Sequence, residues 1–98
     1  MVLEVAILNI KSGLNEEFEQ DFIKAKAIIE KMNGFKSISV KHCLENNNRY
    51  ILLVEWDCLE SHTEGFRKSK DYSEWKKLLH HYYSPFPIVE HYDREILD

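Results

Sequence analysis

Two stretches of this chain, residues 2–10 (VLEVAILNI) and 50–56 (YILLVEW), are apolar on both of their alternating faces. Successive side chains of a strand point to opposite sides. Val5, Ile7 and Asn9 therefore share one side of the first stretch, and Ala6, Leu8 and Ile10 the other. In the second, Tyr50, Leu52, Val54 and Trp56 oppose Ile51 and Leu53. A strand apolar on both faces must be covered on both. With 98 residues there is room for one hydrophobic core, so helices of the same chain can cover one face and something else must cover the second.

The segments between them say what those helices are. Lys11-Ser12-Gly13 forms a turn, and Leu14, Phe18, Phe22, Ala25, Ile29 and Met32 make one stripe of a helix over 14–32. Glu16, Glu17 and Glu19 suit the positive end of its dipole and Lys31 the negative end. Asn33-Gly34 stops it, with Gly34 expected as a left-handed C′ residue. Residues 35–44 alternate, Ile38, Val40, His42 and Leu44 against Ser37, Ser39 and Lys41. The polar Glu45-Asn46-Asn47-Asn48 turn joins that strand to 50–56 as a hairpin. A helical region over 58–83 follows. Asp57 and Glu60 make a capping-box pattern, Leu59, His62 and Phe66 share a face, and Ser69 caps a second piece carrying Tyr72, Trp75, Leu79 and Tyr82. Pro85 and Pro87 forbid its continuation. Residues 88–96 read as a last strand, polar enough for an edge or an exchanged strand.

The order β-α-β-β-α-β is the split βαβ arrangement, an α+β fold with helices on one face of an antiparallel sheet. Residues 1–98 form a single domain without linkers or repeats. The bare sheet face would expose a large apolar patch, which soluble monomers seldom do. Two sheets packed face to face remove it, so the pattern predicts a homodimer.

Charge excludes other classes. A formal net charge of −4 with no basic cluster argues against nucleic acid, whose phosphates need Lys/Arg patches. No apolar run approaches the ~20 residues of a membrane helix. The first residues lack a basic n-region and a small-residue cleavage site and read as a strand, not a signal peptide. Cys43 and Cys58 have no metal or redox spacing and fit a reduced, cytoplasmic setting. No metal-binding spacing occurs, and with three glycines there is no loop to cradle a dinucleotide.

The chemistry concentrates where the second stretch ends. Trp56, His62, Phe66, Tyr72 and Trp75 are delivered to one side of the sheet, an aromatic set with one imidazole. His62 reads either as a general base or donor to a bound phenolate, or as a half-buried structural histidine. The four aromatics read as walls for a planar ligand or as core. Asn9, polar in an apolar strand, points into a cavity or pairs with backbone at the strand end. Of His91 and Tyr92 only one can meet a given cavity. His80 and His81, adjacent on a helix, do not share a face and make a poor metal pair. Cys58 sits at a helix start that can lower a thiol pKa, without an evident base beside it.

The order strand, Trp56, Asp57, short helix with His62-Thr63-Glu64-Gly65-Phe66-Arg67, Ser69, Tyr72, Trp75 resembles the antibiotic biosynthesis monooxygenase family across nearly the whole chain. The resemblance implies a ferredoxin-like protomer in a dimeric α/β barrel. It also implies oxygenation of a small electron-rich aromatic, quinol- or polyketide-like, by O₂ without metal or flavin cofactor. His62 would then be the catalytic base or orienting donor, and Trp56, Phe66, Tyr72, Trp75 and Asn9 would bind substrate. A non-catalytic small-molecule-binding dimer needs the same walls. Haem-degrading relatives resemble the chain around Trp56, but Trp75 stands where they carry the haem-ligating histidine and Ala6 where they carry an essential asparagine.

Overall fold

In a computed structural model, which describes residues 1–97, the alternating segments become a four-stranded antiparallel sheet in the order β2-β3-β1-β4. Strand β1 is Val2–Asn9, β2 Phe35–His42, β3 Arg49–Trp56 and β4 Val89–Tyr92. Helices α1, Asn15–Ile29, and α2, Lys70–Leu79, pack on one side. The split βαβ expectation holds, and the protomer is ferredoxin-like.

Register explains the core. Strand β1 pairs along its full length with β3, Val2 opposite Trp56 and Leu8 opposite Tyr50. Ala6, Leu8, Ile10, Tyr50, Leu52, Val54 and Trp56 therefore point together under the helices, and all are buried. Phe18, Phe22, Ala25 and Ile29 of α1 and Trp75 and Leu79 of α2 close over them. Each large side chain removed from water contributes about 1.5–3 kcal/mol before entropy. The opposite face carries Leu3, Val5, Ile7, Ile51 and Leu53, and among the described residues no helix or strand covers it; Ile7 is 42% exposed.

Local departures from expectation have local causes. Helix α1 ends at Ile29, with Glu30 as its C-cap, not at Met32. Gly34 is left-handed (φ 85°), yet it lies in the turn into β2 rather than at C′. The region 58–83 divides into two pieces, as expected, but the first is not an α-helix. Residues Ser61–Phe66 form a wide π-helical turn, closed by the Arg67 amide donating to the His62 carbonyl at 3.0 Å. With more residues per turn, His62 and Phe66 stay buried while Leu59 swings out to 39% exposure. Asp57 takes the Ser61 hydroxyl at 2.5 Å instead of completing a capping box with Glu60. Ser69 caps α2 as expected, accepting from the Tyr72 amide at 3.2 Å. The last strand is shorter than 88–96 and occupies an edge, beside β1. No helix of the described residues is long and apolar enough to cross a membrane, and both cysteines are free.

Candidate functional site

Four side chains meet where β3 ends. The β1–β4 register sets Glu4 opposite His91, both on the helix-covered face, and the π-helical turn lowers His62 between them. Trp56 Nε1 donates to Glu4 Oε1 at 3.0 Å. His62 Nε2 stands 3.4 Å from the same oxygen. On its other side, His62 Nδ1 and His91 Nε2 lie 2.8 Å apart and share one proton. The indole of Trp56 stacks on the His62 ring at 5.4 Å and 13°. Glu4 is 5% and His62 3% exposed, so the three ionisable groups form a series running from the interior to the half-buried His91.

Burial sets their charge. It pushes the Glu4 carboxyl up, against the opposing pull of the Trp56 hydrogen bond and the Arg67 guanidinium. It pushes His62 down to about 3, helped by Arg67 and His91. His91 is lowered as well, by burial and Arg67. Both imidazoles are therefore neutral near pH 7. With Glu4 ionised, His62 presents Nε2–H to it and accepts from His91 at Nδ1, a tautomer assigned from the network.

Beside this series lies a cavity of about 50 Å³. Glu4, Ala6, Leu8, Leu52 and Val89 line its sheet side, and His62, Phe66, Arg67, Tyr72, Trp75 and His80 its helical side. Tyr83, Phe86 and Pro87, from the segment before β4, complete it. Phe66 meets Tyr72 and Trp75 edge-to-face at 5.2 and 5.4 Å. Burial raises the Tyr72 and Tyr83 phenols, so both stay neutral near the Glu4 carboxylate.

Of the residues singled out from the sequence, His62, Phe66, Tyr72 and Trp75 come together at this cavity. Trp56 stands behind it, wholly buried between His62 and Phe35. Asn9 does not join them: it lies on the other face of the sheet, where its Oδ1 accepts from Arg49 Nε at 3.0 Å. Glu4, Arg67 and Tyr83 were not singled out as site residues, and of His91 and Tyr92, left open by the sequence, His91 is the one that joins the series. Glu4 carried a readable signal, since period two places it with Ala6, Leu8 and Ile10 as one carboxylate on an apolar face.

A larger groove of about 480 Å³ opens between α1 and β2, lined by Phe18, Phe22, Ile38, Val40, Tyr50 and others. Three of its polar side chains are already engaged: Tyr50 donates to Glu19 at 2.5 Å, and His42 pairs with the Asn47 carbonyl at 2.8 Å. The chemistry, rather than the volume, selects the smaller cavity.

A ferredoxin-like sheet carrying a buried carboxylate–imidazole pair at the exit of β3 defines a small enclosed-site α+β protein. The model of the antibiotic biosynthesis monooxygenase family matches residues 1–78, and the chain belongs to that family. It is 54% identical over 92 residues to the uncharacterized protein YczJ of Bacillus subtilis, spanning 94% of this chain and 97% of that one. A crystal structure from Bordetella bronchiseptica bearing the family's name superposes with a TM-score of 0.92 at 26% identity, over 97% of each chain. SnoaB, a cofactor-independent oxygenase from Streptomyces nogalater, shares the fold at a TM-score of 0.77 and 18% identity, over 98% of this chain and 95% of its own.

Proposed function

We propose that this protein is a cofactor-independent monooxygenase acting on a small electron-rich aromatic, a quinol or anthrone of the polyketide kind. The observation that carries it is the buried Glu4–His62–His91 series set against an aromatic-walled cavity. Membership of the family supports oxygenation, and the printed description of SnoaB supports chemistry without a cofactor.

The electron balance needs no added reductant. Removal of a proton leaves an anthrone carbanion or a phenolate, which can pass one electron to O₂. Recombination forms a carbon–oxygen bond, and loss of water leaves a new carbonyl: RH₂ + O₂ → R=O + H₂O. One oxygen atom stays on carbon, the other leaves as water, and the substrate supplies every electron. The protein must accept the first proton, hold the ring and keep water from the intermediate.

A polycyclic ring needs more than about 50 Å³, since ligand sites are usually ~300 Å³ or larger. Phe86, 60% exposed and packed edge-to-face on His80 at 4.8 Å, is the wall whose outward swing enlarges the cavity. The uncovered face of Leu3, Val5, Ile7, Ile51 and Leu53 pairs with its copy in a homodimer. Metal-free protein supplied with an anthrone should consume one O₂ per quinone formed, above the rate of autoxidation. Saturable binding of the anthrone with no O₂ uptake would instead establish a ligand-binding dimer.

A further inference from the structure

We propose that Glu4 is the proton acceptor that meets the substrate, and that His62, held by His91, positions it. The inference deepens the proposed oxygenase reading and rests on it.

His62 has no nitrogen to offer. Nδ1 lies 2.8 Å from His91 Nε2 and Nε2 lies 3.4 Å from Glu4 Oε1, so neither gap admits a substrate atom. Glu4 is differently placed. It lines the cavity, and its Oε1 accepts from Trp56, with His62 Nε2 3.4 Å away. No hydrogen bond to Oε2 occurs among the described residues, and since none of their fully buried side-chain oxygens lacks a partner, Oε2 is open to the cavity rather than sealed in protein. A nearly buried carboxylate with one oxygen unclaimed is an acceptor awaiting a proton. It also stands on rigid scaffold, because β1 is paired on both sides, with β3 and β4, and a reacting group gains precision from such support.

The step is a proton transfer alone. The substrate O–H or activated C–H bond breaks, the proton goes to Glu4 Oε2, and the electron pair stays on the substrate. Negative charge thus passes from Glu4 to substrate while the neighbouring charges stay unchanged. The titratable and charged groups around Glu4 and its cavity are His62 and Arg67 from the helical turn, His91 from β4, Tyr72 from α2, His80 just after α2 and Tyr83 from the segment before β4. None is anionic near pH 7. Burial of Glu4 makes it a stronger base than a surface carboxylate, and general bases work best with a pKa near the working pH.

The test is the pH profile of anthrone-dependent O₂ uptake, with ¹³C NMR titration of the Glu4 carboxyl as a readout independent of turnover. Wild-type kcat/KM should rise with pH through a midpoint above the ordinary carboxylate range, and the NMR titration should share that midpoint. Glu4→Gln keeps an oxygen for the Trp56 N–H and should fold, yet lose ~10²–10⁴-fold in kcat; Glu4→Asp should recover part of it. His62→Phe removes the imidazole nitrogen that stands 3.4 Å from the carboxylate. It should move the rate midpoint and the Glu4 titration to higher pH together, and lower the high-pH plateau by less than Glu4→Gln does. His91→Phe should shift both in the same direction by less. A plateau abolished by His62→Phe but kept by Glu4→Gln would return the base role to His62 and overturn the proposal. So would a Glu4 carboxyl titrating like a surface carboxylate. Absence of O₂ uptake in wild type alongside an elevated Glu4 titration that His62→Phe raises further would refute the oxygenase reading and support the Glu4–His62 assignment.

Discussion

Gly13 and Gly34 both have φ of 85°, so replacing either with alanine places an L side chain in the left-handed region at about 1–2 kcal/mol. Their surroundings differ. A Cβ on Gly13 meets nothing within 4 Å, whereas one on Gly34 runs into Asp57 Oδ1 and Ser61 Oγ. Those two atoms are hydrogen-bonded to each other, and the Asp57 amide donates to the Gly34 carbonyl at 2.8 Å. The turn into β2 and the start of the helical segment bearing His62 are thus locked together. Forcing a methyl into such a contact costs about 1–3 kcal/mol more. Gly13→Ala should therefore lose about 1–2 kcal/mol and Gly34→Ala about 2–5 kcal/mol. Urea unfolding followed by tryptophan fluorescence measures both, and at this chain length each kcal/mol corresponds to roughly 4–8 °C in Tm. Gly34→Ala should also displace His62 and depress O₂ uptake at temperatures where it stays folded, while Gly13→Ala leaves uptake intact. Equal losses of stability in the two variants would refute the locking of Gly34 to Asp57 and Ser61.

Three further outcomes are expected. Sedimentation at micromolar concentration should show a dimer, and Ile7→Lys, on the uncovered face, should shift it toward the 11.7 kDa chain; a wild-type monomer would remove the face-to-face argument. His62 is held neutral, with its pKa down at about 3, so the unfolded chain takes up its proton first and stability is lost as pH falls from about 6.5 toward 3. Glu4 acts in the opposite sense, so the effect is measured by adding His62→Gln to Glu4→Gln, which should flatten that acid limb. Tyr82 donates to Asp21 at 2.5 Å and its phenol is raised to about 12, so stability present below pH ~10 should fall as pH rises toward 12. Tyr82→Phe should weaken that alkaline loss in pH-jump unfolding.

Local patterning carried the architecture because helix and strand periods are properties of neighbouring residues. The α1 stripe of Phe18, Phe22, Ala25 and Ile29, the hairpin at Asn46–Asn48, the Ser69 cap and the two-sided strands were all readable from spacing. So was the helix-side aromatic set, with His62 at its centre. Tertiary structure alone decided what His62 touches. Its carboxylate partner comes from the start of the chain and its imidazole partner from the end, brought together by the β1–β4 register that sets Glu4 against His91. No periodicity encodes a pairing between strands so distant in sequence. The same register chose His91 over Tyr92, and the β1–β3 pairing set Arg49 opposite Asn9, whose side of the strand alternation had already fixed. The π-helical widening that buried His62 and Phe66 while releasing Leu59 likewise answers to packing over the sheet. The residue types were legible one by one; the buried series they form exists only because three distant segments share one side of a folded sheet.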